Sequence, residues 1–313
     1  MKDVILLTGA GFTYNFGGFL GKDMWLRIFN NPLTLKHDRV RELLLKDNDF
    51  DYESVYAQII GEDKYSEFEK NAIKTVVEEA YSALNFKVES FMRSGQEPDG
   101  RYLMDFLKDL LYGDDERFGF FFTLNQDLLI DWYPNIYMPW ISLNSTNPNS
   151  IAIPRNYSVS ELEREVDDNP KKIKYIKLHG SYGWLSSNHE HAMAIGYNKF
   201  EYIQKEPLLF CYYQKFQAVI NEGNKRLLII GYSFRDEHIN RILQDGVMNH
   251  GLRLYIINPL DLRIFKQELF KRCCADDLWA ALHGYFPYTL KQIIPFGQEG
   301  KFYQDDIFST LTS

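Results

Sequence analysis

Cysteine is scarce in this chain of 313 residues, which contains three: Cys211, Cys273 and Cys274. Three thiols cannot form a disulfide framework. The adjacent pair Cys273 and Cys274 lacks the two-residue spacing of zinc ligands, and the chain contains no CxxC motif. The composition therefore excludes a disulfide-stabilised scaffold and a four-cysteine zinc ribbon.

An excess of positive charge and long apolar runs are also missing. The chain carries 35 basic and 43 acidic residues, for a formal net charge of −8. Since nucleic-acid affinity depends on neutralising phosphates, we expect no direct nucleic-acid binding. No stretch approaches the roughly 20 apolar residues of a membrane helix, and the N-terminal run with Asp3 indicates a first strand rather than a signal peptide. We expect a cytoplasmic protein that does not engage a membrane.

Five apolar segments are present, and each ends in small or polar residues. They cover residues 4–7, 118–122, 173–178, 227–230 and 252–257. Continuous apolar runs are typical of strands buried on both faces of a parallel sheet. Ligands of such sheets bind outside the carboxyl ends of the strands. The pattern predicts a Rossmann-like, mostly parallel α/β sheet with helices on both faces and one ligand crevice.

The remaining segments predict how the chain is organised around this sheet. Apolar residues at helical spacing between about 35 and 112 predict a helical insertion after the first strand and helix. Further helices are predicted over 160–166, 236–243 and 262–271. We expect one nucleotide-binding domain over residues 1–275, followed by a C-terminal extension over 276–313.

Gly9, Ala10 and Gly11 follow the first predicted strand. Backbone amides in such a turn can hold a pyrophosphate, although a plain tight turn also needs glycine. A full dinucleotide fingerprint would need glycine at position 14, where Tyr14 stands. The dehydrogenase version of the motif is therefore absent.

Polar residues follow the next two predicted strands. Asn125 and Asp127, beside Thr123, could bind a ligand or could cap a helix. His179 ends the third strand next to Gly180, which predicts an exposed ring and an acid–base role, although a lone histidine can equally be structural.

The last two predicted strands end in Ser233 and Asn258. Ser233 is either a phosphate ligand or a helix cap, and Asn258 before Pro259 suits a turn. Separately, His189 and His191 flank Glu190, but residues two apart share a strand face without a third ligand nearby. We expect no metal site there.

Taken in order, the motifs GAGFT, TLNQD, KLHGS, GYSFRDEHI and IINP resemble the SIR2 family. Within that family they are most similar to the SIR2-like NAD-consuming proteins of bacterial anti-phage defence. The resemblance spans about residues 3–265 and leaves the helical insertion and the loops unmatched. It implies that residues 1–275 form a SIR2-like NAD-binding domain.

The resemblance implies that NAD lies across the strand ends as the substrate, and that no metal takes part. By similarity, Ala10, Gly11 and Thr13 would contact the diphosphate and nicotinamide side of NAD. Asn125 would lie at the nicotinamide ribose, Asp127 at the carboxamide, and His179 would be the base. Gly231 and Ser233 would hold phosphate and ribose, and Asn258 would reach the adenosine ribose. Gly9 and Thr123 complete the predicted cofactor-binding set. Thr13 stands where the family usually has serine, which keeps the hydroxyl.

Two departures from the protein-deacylating members bear on the reaction. The zinc ribbon is absent, and residues 18–25 lack the Pro-x-Phe-Arg stretch of those enzymes. Without an acyl-peptide groove, water is the remaining nucleophile. The sequence therefore predicts an NAD+ glycohydrolase that forms nicotinamide and ADP-ribose, an effector that depletes NAD in abortive infection.

Two alternatives stay open. One is an NAD-dependent protein deacylase or ADP-ribosyltransferase, which would need a protein acceptor. The other is a non-catalytic nucleotide-sensing subunit, which would have no need for Asn125 and His179.

Enzymes of this type need a trigger, and few residues remain for a sensor. We expect homo-oligomerisation or a separate activating partner, such as a HerA-type ATPase or an Argonaute-like protein.

Overall fold

The computed structural model describes residues 4–47, 49–113, 117–131, 133, 136–139, 151–186, 190–196, 198–295 and 300–312. Strands in these residues are β1 Val4–Thr8, β2 Phe120–Thr123, β3 Ile136–Tyr137, β4 Ile151–Ala152, β5 Ile173–Lys177, β6 Gly180–Leu185, β7 His191–Met193, β8 Arg226–Ile230, β9 Arg253–Ile257 and β10 Leu282–Phe286. Seven of them form one sheet in the order β10-β9-β8-β1-β2-β5-β3, and every neighbouring pair is parallel. A smaller sheet has the order β4-β6-β7.

Helices pack on both faces of the large sheet. They are α1 Ala10–Tyr14, α2 Gly21–Phe29, α3 Asp38–Lys46, α4 Tyr52–Gly61, α5 Glu67–Ser94, α6 Gly100–Leu111, α7 Val159–Asp167, α8 Lys199–Lys205, α9 Pro207–Ile220, α10 Glu237–His250, α11 Leu262–Leu269, α12 Ala275–Ala280, α13 Leu290–Ile293 and α14 Lys301–Thr312, with a 3₁₀ turn at Thr34–Lys36. The predicted fold class, a Rossmann-like α/β sheet covered on both faces, is confirmed. No helix in the described ranges is long and apolar enough to cross a membrane.

Two hydrophobic cores lie on opposite faces of the sheet. Successive strand residues alternate between them, so that Leu6 and Phe121 enter the first core while Leu7 and Phe122 enter the second. Helices α2 to α6, α13 and α14 cover the first face, and α7 to α12 cover the second. Burial on both faces explains why the strands are continuous apolar runs.

The strand order reverses at β1. From β1 the chain crosses to β2 over the first face, whereas from β8 it crosses to β9 through α10 on the second face. The connections that follow β1 and β8 therefore leave the sheet on opposite faces. Such a switch point is the usual ligand site of an open α/β sheet.

Candidate active site

The turns after β1 and β8 contact each other through glycine. Gly231 has a φ of +67°, and a Cβ on it would lie 2.2 Å from the backbone nitrogen of Phe12. The Gly11 N–H donates to the Gly231 carbonyl over 2.9 Å. The two turns thus fix each other, and the Gly11 amide is used within the chain in this conformation.

A directed chain of hydrogen bonds joins the first two strand ends. The Asn125 side-chain amide donates to the Gly9 carbonyl and to the Thr13 hydroxyl, each over 2.9 Å. Thr13 in turn donates to the Asp127 carboxylate over 2.8 Å. Because a backbone carbonyl only accepts, the bond to Gly9 fixes which end of the Asn125 amide is the nitrogen. The predicted residues Thr13, Asn125 and Asp127 are therefore brought together.

The interpretation of Asn125 and Asp127 as helix caps is wrong. Residues 124–131 follow β2 as turns, and no helix begins among them. Asp127 instead accepts the Leu129 N–H over 3.0 Å, which closes a turn. Thr123 accepts both the Asn125 backbone N–H and the Thr8 hydroxyl, so it supports the start of this loop.

A buried ion pair holds the same loop from β5. Lys177 and Asp131 are 3.0 Å apart, with side chains 0% and 2% exposed. The Lys177 ammonium also donates to the Asp127 carbonyl. Burial raises the pKa of Asp131, although Lys177 opposes this shift. Lys177 therefore positions the backbone that carries Asp127.

His179 lies directly beyond β5 and is 2% exposed, so the predicted exposed ring is wrong. The chain does not stop at the strand end but enters β6 at Gly180, and neighbouring segments cover it. The His179 carbonyl accepts from the Ala194 N–H over 2.9 Å and from the Gln126 side chain over 3.2 Å. Gln126 thereby joins His179 to the loop that carries Asn125 and Asp127.

The ring of His179 pairs with a second histidine. Its Nε2 lies 3.0 Å from Nε2 of His238, in the first turn of α10. Burial lowers the pKa of His179 well below its ordinary value, and burial lowers that of His238 to about 4. Both rings are therefore neutral at neutral pH, as a general base requires.

A charged chain lies next to this pair. Lys199 contacts Asp236 over 2.8 Å and Glu53 over 2.7 Å. Burial opposes ionisation of Asp236, but the positive charge of Lys199 outweighs it and holds the pKa of Asp236 well below the ordinary value. Glu53 belongs to α4, so the helical insertion reaches the edge of the site.

One group of side chains in the described residues could offer three ligand atoms to a metal. Atoms of His179, His238 and Asp236 all lie within 4.8 Å of one another. The Lys199 ammonium on Asp236 disfavours a dication at this place, because the two like charges would repel each other. A metal-free site therefore stays our prediction.

The other histidine cluster does not assemble in the described residues. His189 lies outside them. His191 stacks on Tyr182 with ring centres 4.4 Å apart, and Glu190 pairs with Lys74 over 2.9 Å.

Ser233 and Asn258 sit at the strand ends as the sequence predicts. Ser233 is exposed, and the N-cap of the following helix α10 is Asp236 rather than Ser233. Asn258 is half-buried, and its side-chain oxygen accepts the Leu260 N–H over 3.0 Å, which is a turn bond. Their assignment to NAD stays a prediction.

A separate open cavity is lined mainly by residues of α2 and α5. It measures about 660 Å³ and begins at Tyr14, next to Thr13 in sequence, and Lys87 of α5 is among its lining residues. None of the predicted catalytic residues lines it. Instead Thr13, Asn125, Asp127 and His179 are each at most 9% exposed, so the candidate site is closed in this conformation.

Sequence reasoning missed several residues that the structure places at the site. Lys177, Asp236 and His238 stand inside the motifs KLHGS and GYSFRDEHI, so a signal for them was present. The insertion residue Tyr81 gave no such signal. It donates to the Gln126 side chain from α5, a contact that only the tertiary structure creates.

The fold is that of an open α/β sheet, a class that binds ligands at the carboxyl ends of its strands. The family model of the SIR2-like domain matches residues 119–276, and the chain belongs to the SIR2-like family. The match contains the segments with Asn125, His179 and His238, whereas Gly9 to Thr13 precede it. SIR2-like domains are typically NAD-dependent enzymes. No curated protein matches the chain.

Proposed function

We propose that this protein is an NAD+ hydrolase that cleaves the nicotinamide–ribose bond to give nicotinamide and ADP-ribose. The observation that carries the proposal is the chain from Asn125 through Thr13 to Asp127, next to the neutral base His179. These groups lie at the carboxyl ends of adjacent strands, beside the switch point where such sheets bind ligands.

The arrangement suits cleavage of the bond that joins the cationic pyridinium of NAD to its ribose. Nicotinamide leaves as a neutral molecule, and positive charge develops on the ribose ring. Asp127 keeps acceptor capacity beyond its bonds to Thr13 and Leu129, because a carboxylate has about four lone-pair sites. It can therefore hold the carboxamide N–H₂ and stabilise the developing cation.

Asn125 retains one group for the substrate. Both hydrogens of its amide nitrogen are used inside the protein, which leaves its oxygen as the acceptor for a ribose hydroxyl or the attacking water. Water adds to ribose carbon 1 while His179 accepts its proton. Placing the nucleophile and the base in this way removes much of the entropic barrier.

Burial of the site supports a regulated enzyme. NAD cannot reach side chains that are at most 9% exposed unless neighbouring segments move. We propose that assembly, as a homo-oligomer or with an activating partner, opens the site, and that NAD depletion during phage infection is the biological output.

Incubation of the purified chain with NAD, over a range of protein concentrations and with infected-cell extract added, followed by measurement of free nicotinamide, tests the proposal. We expect release by the wild type and by Asn249→Ala, a control on the surface of α10, with little from Asn125→Ala or His179→Ala. Deacylation of an acetylated peptide, or transfer to a protein acceptor, would favour the alternative enzyme. Binding of NAD without turnover, at every protein concentration and with infected-cell extract, would favour a sensor.

A further inference from the structure

The pairing of His179 with His238 limits how the base can work. The two Nε2 atoms are 3.0 Å apart, so one ring must donate and the other accept. While this bond holds, only Nδ1 of His179 is available to a substrate. A neutral His179 that keeps Nδ1 unprotonated must carry its hydrogen on Nε2, and His238 must then be the acceptor.

The surroundings favour a proton on His238 over one on His179. His179 is 2% exposed, whereas His238 is only partly buried and so keeps some hydration of its cation. The negative charge of Asp236 stabilises the protonated form of both rings, and that of Glu237 also stabilises protonated His238. The groups facing the pair are thus Asp236 and Glu237 before and in α10, Lys199 from α8, which disfavours a cation, and the phenol of Tyr213 from α9.

The ring of His238 is held in place by neighbours outside the motif. Phe200 stacks on it with ring centres 6.0 Å apart, and Tyr213 lies 6.2 Å away on α9. Asp236 is held by Lys199, which is itself bound to Glu53 of the insertion. Such support fixes the geometry of a hydrogen-bonded pair.

We propose that His238 is a positioning residue for His179, which sets the tautomer of the base through the Nε2–Nε2 hydrogen bond and takes up the proton that the base releases. The proposal rests on the proposed NAD hydrolysis for its catalytic part. The helical insertion acts in it through Glu53 and Lys199, which orient Asp236.

The proton balance is simple. Water or a ribose hydroxyl gives its proton to Nδ1 of His179 as the oxygen–carbon bond forms. The Nε2 hydrogen of His179 passes to Nε2 of His238. His179 ends neutral with its hydrogen on Nδ1, and His238 ends as a cation beside Asp236. Solvent then removes the proton from His238.

The first test does not depend on turnover. Protein carrying isotope-labelled histidine is titrated by NMR, with assignment from His179→Gln and His238→Gln. We expect the wild-type His179 signal to show the Nε2–H tautomer and to shift when His238 titrates. In His238→Ala, which removes the acceptor facing Nε2 of His179, the tautomer ratio of His179 should change, whereas His250→Ala should leave it unaltered.

The second test is kinetic. For His238→Gln, which can accept a hydrogen bond but not a proton, we expect kcat to fall about 100-fold with KM changed less than about twofold. The acid limb of kcat/KM against pH should also move. Added imidazole should restore part of kcat to His238→Ala but not to Asn125→Ala. A purely structural role would give neither the changed pH profile nor the rescue.

Specific results would overturn the proposal. They are an unchanged His179 tautomer in His238→Ala, or wild-type kcat and pH profile in both His238 variants. Activity lost on chelation and restored by zinc would instead identify the pair as metal ligands. Should His238→Ala fail to fold, the kcat and pH profile of His238→Gln decide. Absence of nicotinamide release by the wild type, with the NMR coupling intact, would refute the proposed hydrolase alone.

Discussion

At the residue scale, the direction of each hydrogen bond decides what is left for a ligand. Asn125 gives both amide hydrogens to Gly9 and Thr13, and Thr13 gives its hydroxyl hydrogen to Asp127. Only acceptor oxygens therefore remain on this chain, which suits hydroxyl groups, water and a carboxamide N–H₂.

Asn125→Ala tests this assignment. The substitution removes the acceptor oxygen and leaves the Gly9 carbonyl without its side-chain donor. We expect the rate of nicotinamide release to fall about 10²- to 10⁴-fold. The free energy of unfolding should drop by about 1–3 kcal/mol, since the two buried hydrogen bonds from Asn125 to Gly9 and Thr13 are lost.

The measurements are steady-state rates, NAD affinity by calorimetry and urea denaturation. NAD affinity should fall much less than the rate, because the other predicted contacts remain. Asn249→Ala, which removes only a surface bond to Asp245, should match the wild type in all three. An Asn125→Ala protein that is stable and fully active would remove Asn125 from the mechanism.

Lys177 supports a second residue-scale prediction. In Lys177→Met the Asp131 carboxylate stays buried without its cation, which typically costs about 3–5 kcal/mol. The double variant Lys177→Met with Asp131→Leu should regain much of this, because no buried charge is left. Chemical denaturation measures both. A single variant as stable as the wild type would show that the pair does not hold the loop.

At the scale of elements, the contact between the β1 and β8 turns depends on a glycine. Gly231 has a φ of +67°, and any side chain there would place its Cβ 2.2 Å from backbone of the opposite turn. Gly95, at the end of α5, has the same φ of +67°, but a Cβ on it would meet nothing within 4 Å. Substitutions at Gly95 and Gly231 therefore distinguish the cost of conformational strain from the cost of a steric clash.

We expect Gly95→Ala to cost about 1–2 kcal/mol, the usual penalty for an L-residue in the left-handed region. Gly231→Ala should cost at least about 2 kcal/mol more, because the turns must separate, and NAD binding should weaken with it. Thermal and urea melting of both variants give the comparison. Equal destabilisation would mean that the turns adapt without difficulty.

The sequence predicted those elements whose burial leaves a regular pattern. Strands β1, β2, β5, β8 and β9 lie between two cores and read as apolar runs. The strands β10 and β3 gave no such signal. The first is an edge strand, half-buried and interrupted by Gly284, and the second has two residues. Edge strands do not need continuous apolar residues.

The candidate site was predictable at the strand ends and not beyond them. Thr13, Asn125, Asp127 and His179 could be placed because parallel strands end at one edge of a sheet. The burial of His179 could not be predicted, since it depends on β6, β7 and the distant His238. Contacts from Glu53 and Tyr81 link elements far apart in sequence, which no local pattern reports.

At the scale of the whole molecule, the helical insertion and α8 to α10 meet around the two histidines. Glu53 from the first face and Lys199 from the second enclose Asp236 and the pair. Charging this region therefore affects the packing of both layers. The stability of the fold should report the protonation of the histidines.

The sign of this pH dependence follows from the lowered pKa values. Burial lowers the pKa of His238 to about 4, against 6.5 in the unfolded chain, and lowers that of His179 as well. Between pH 6.5 and 4 the unfolded state binds more protons, so the free energy of unfolding falls as the pH falls, and the full stability is present above pH 6.5. For His238 alone, the resulting loss in the free energy of unfolding amounts to about 2–3 kcal/mol. Urea denaturation of the wild type at pH 7 and pH 4.5 should show this loss. In His238→Gln the slope should be clearly shallower, whereas His250→Gln, at the end of α10, should keep the wild-type slope. Parallel curves for the wild type and His238→Gln would mean that His238 titrates in the fold as it does in the unfolded chain, and that its burial does not oppose charge.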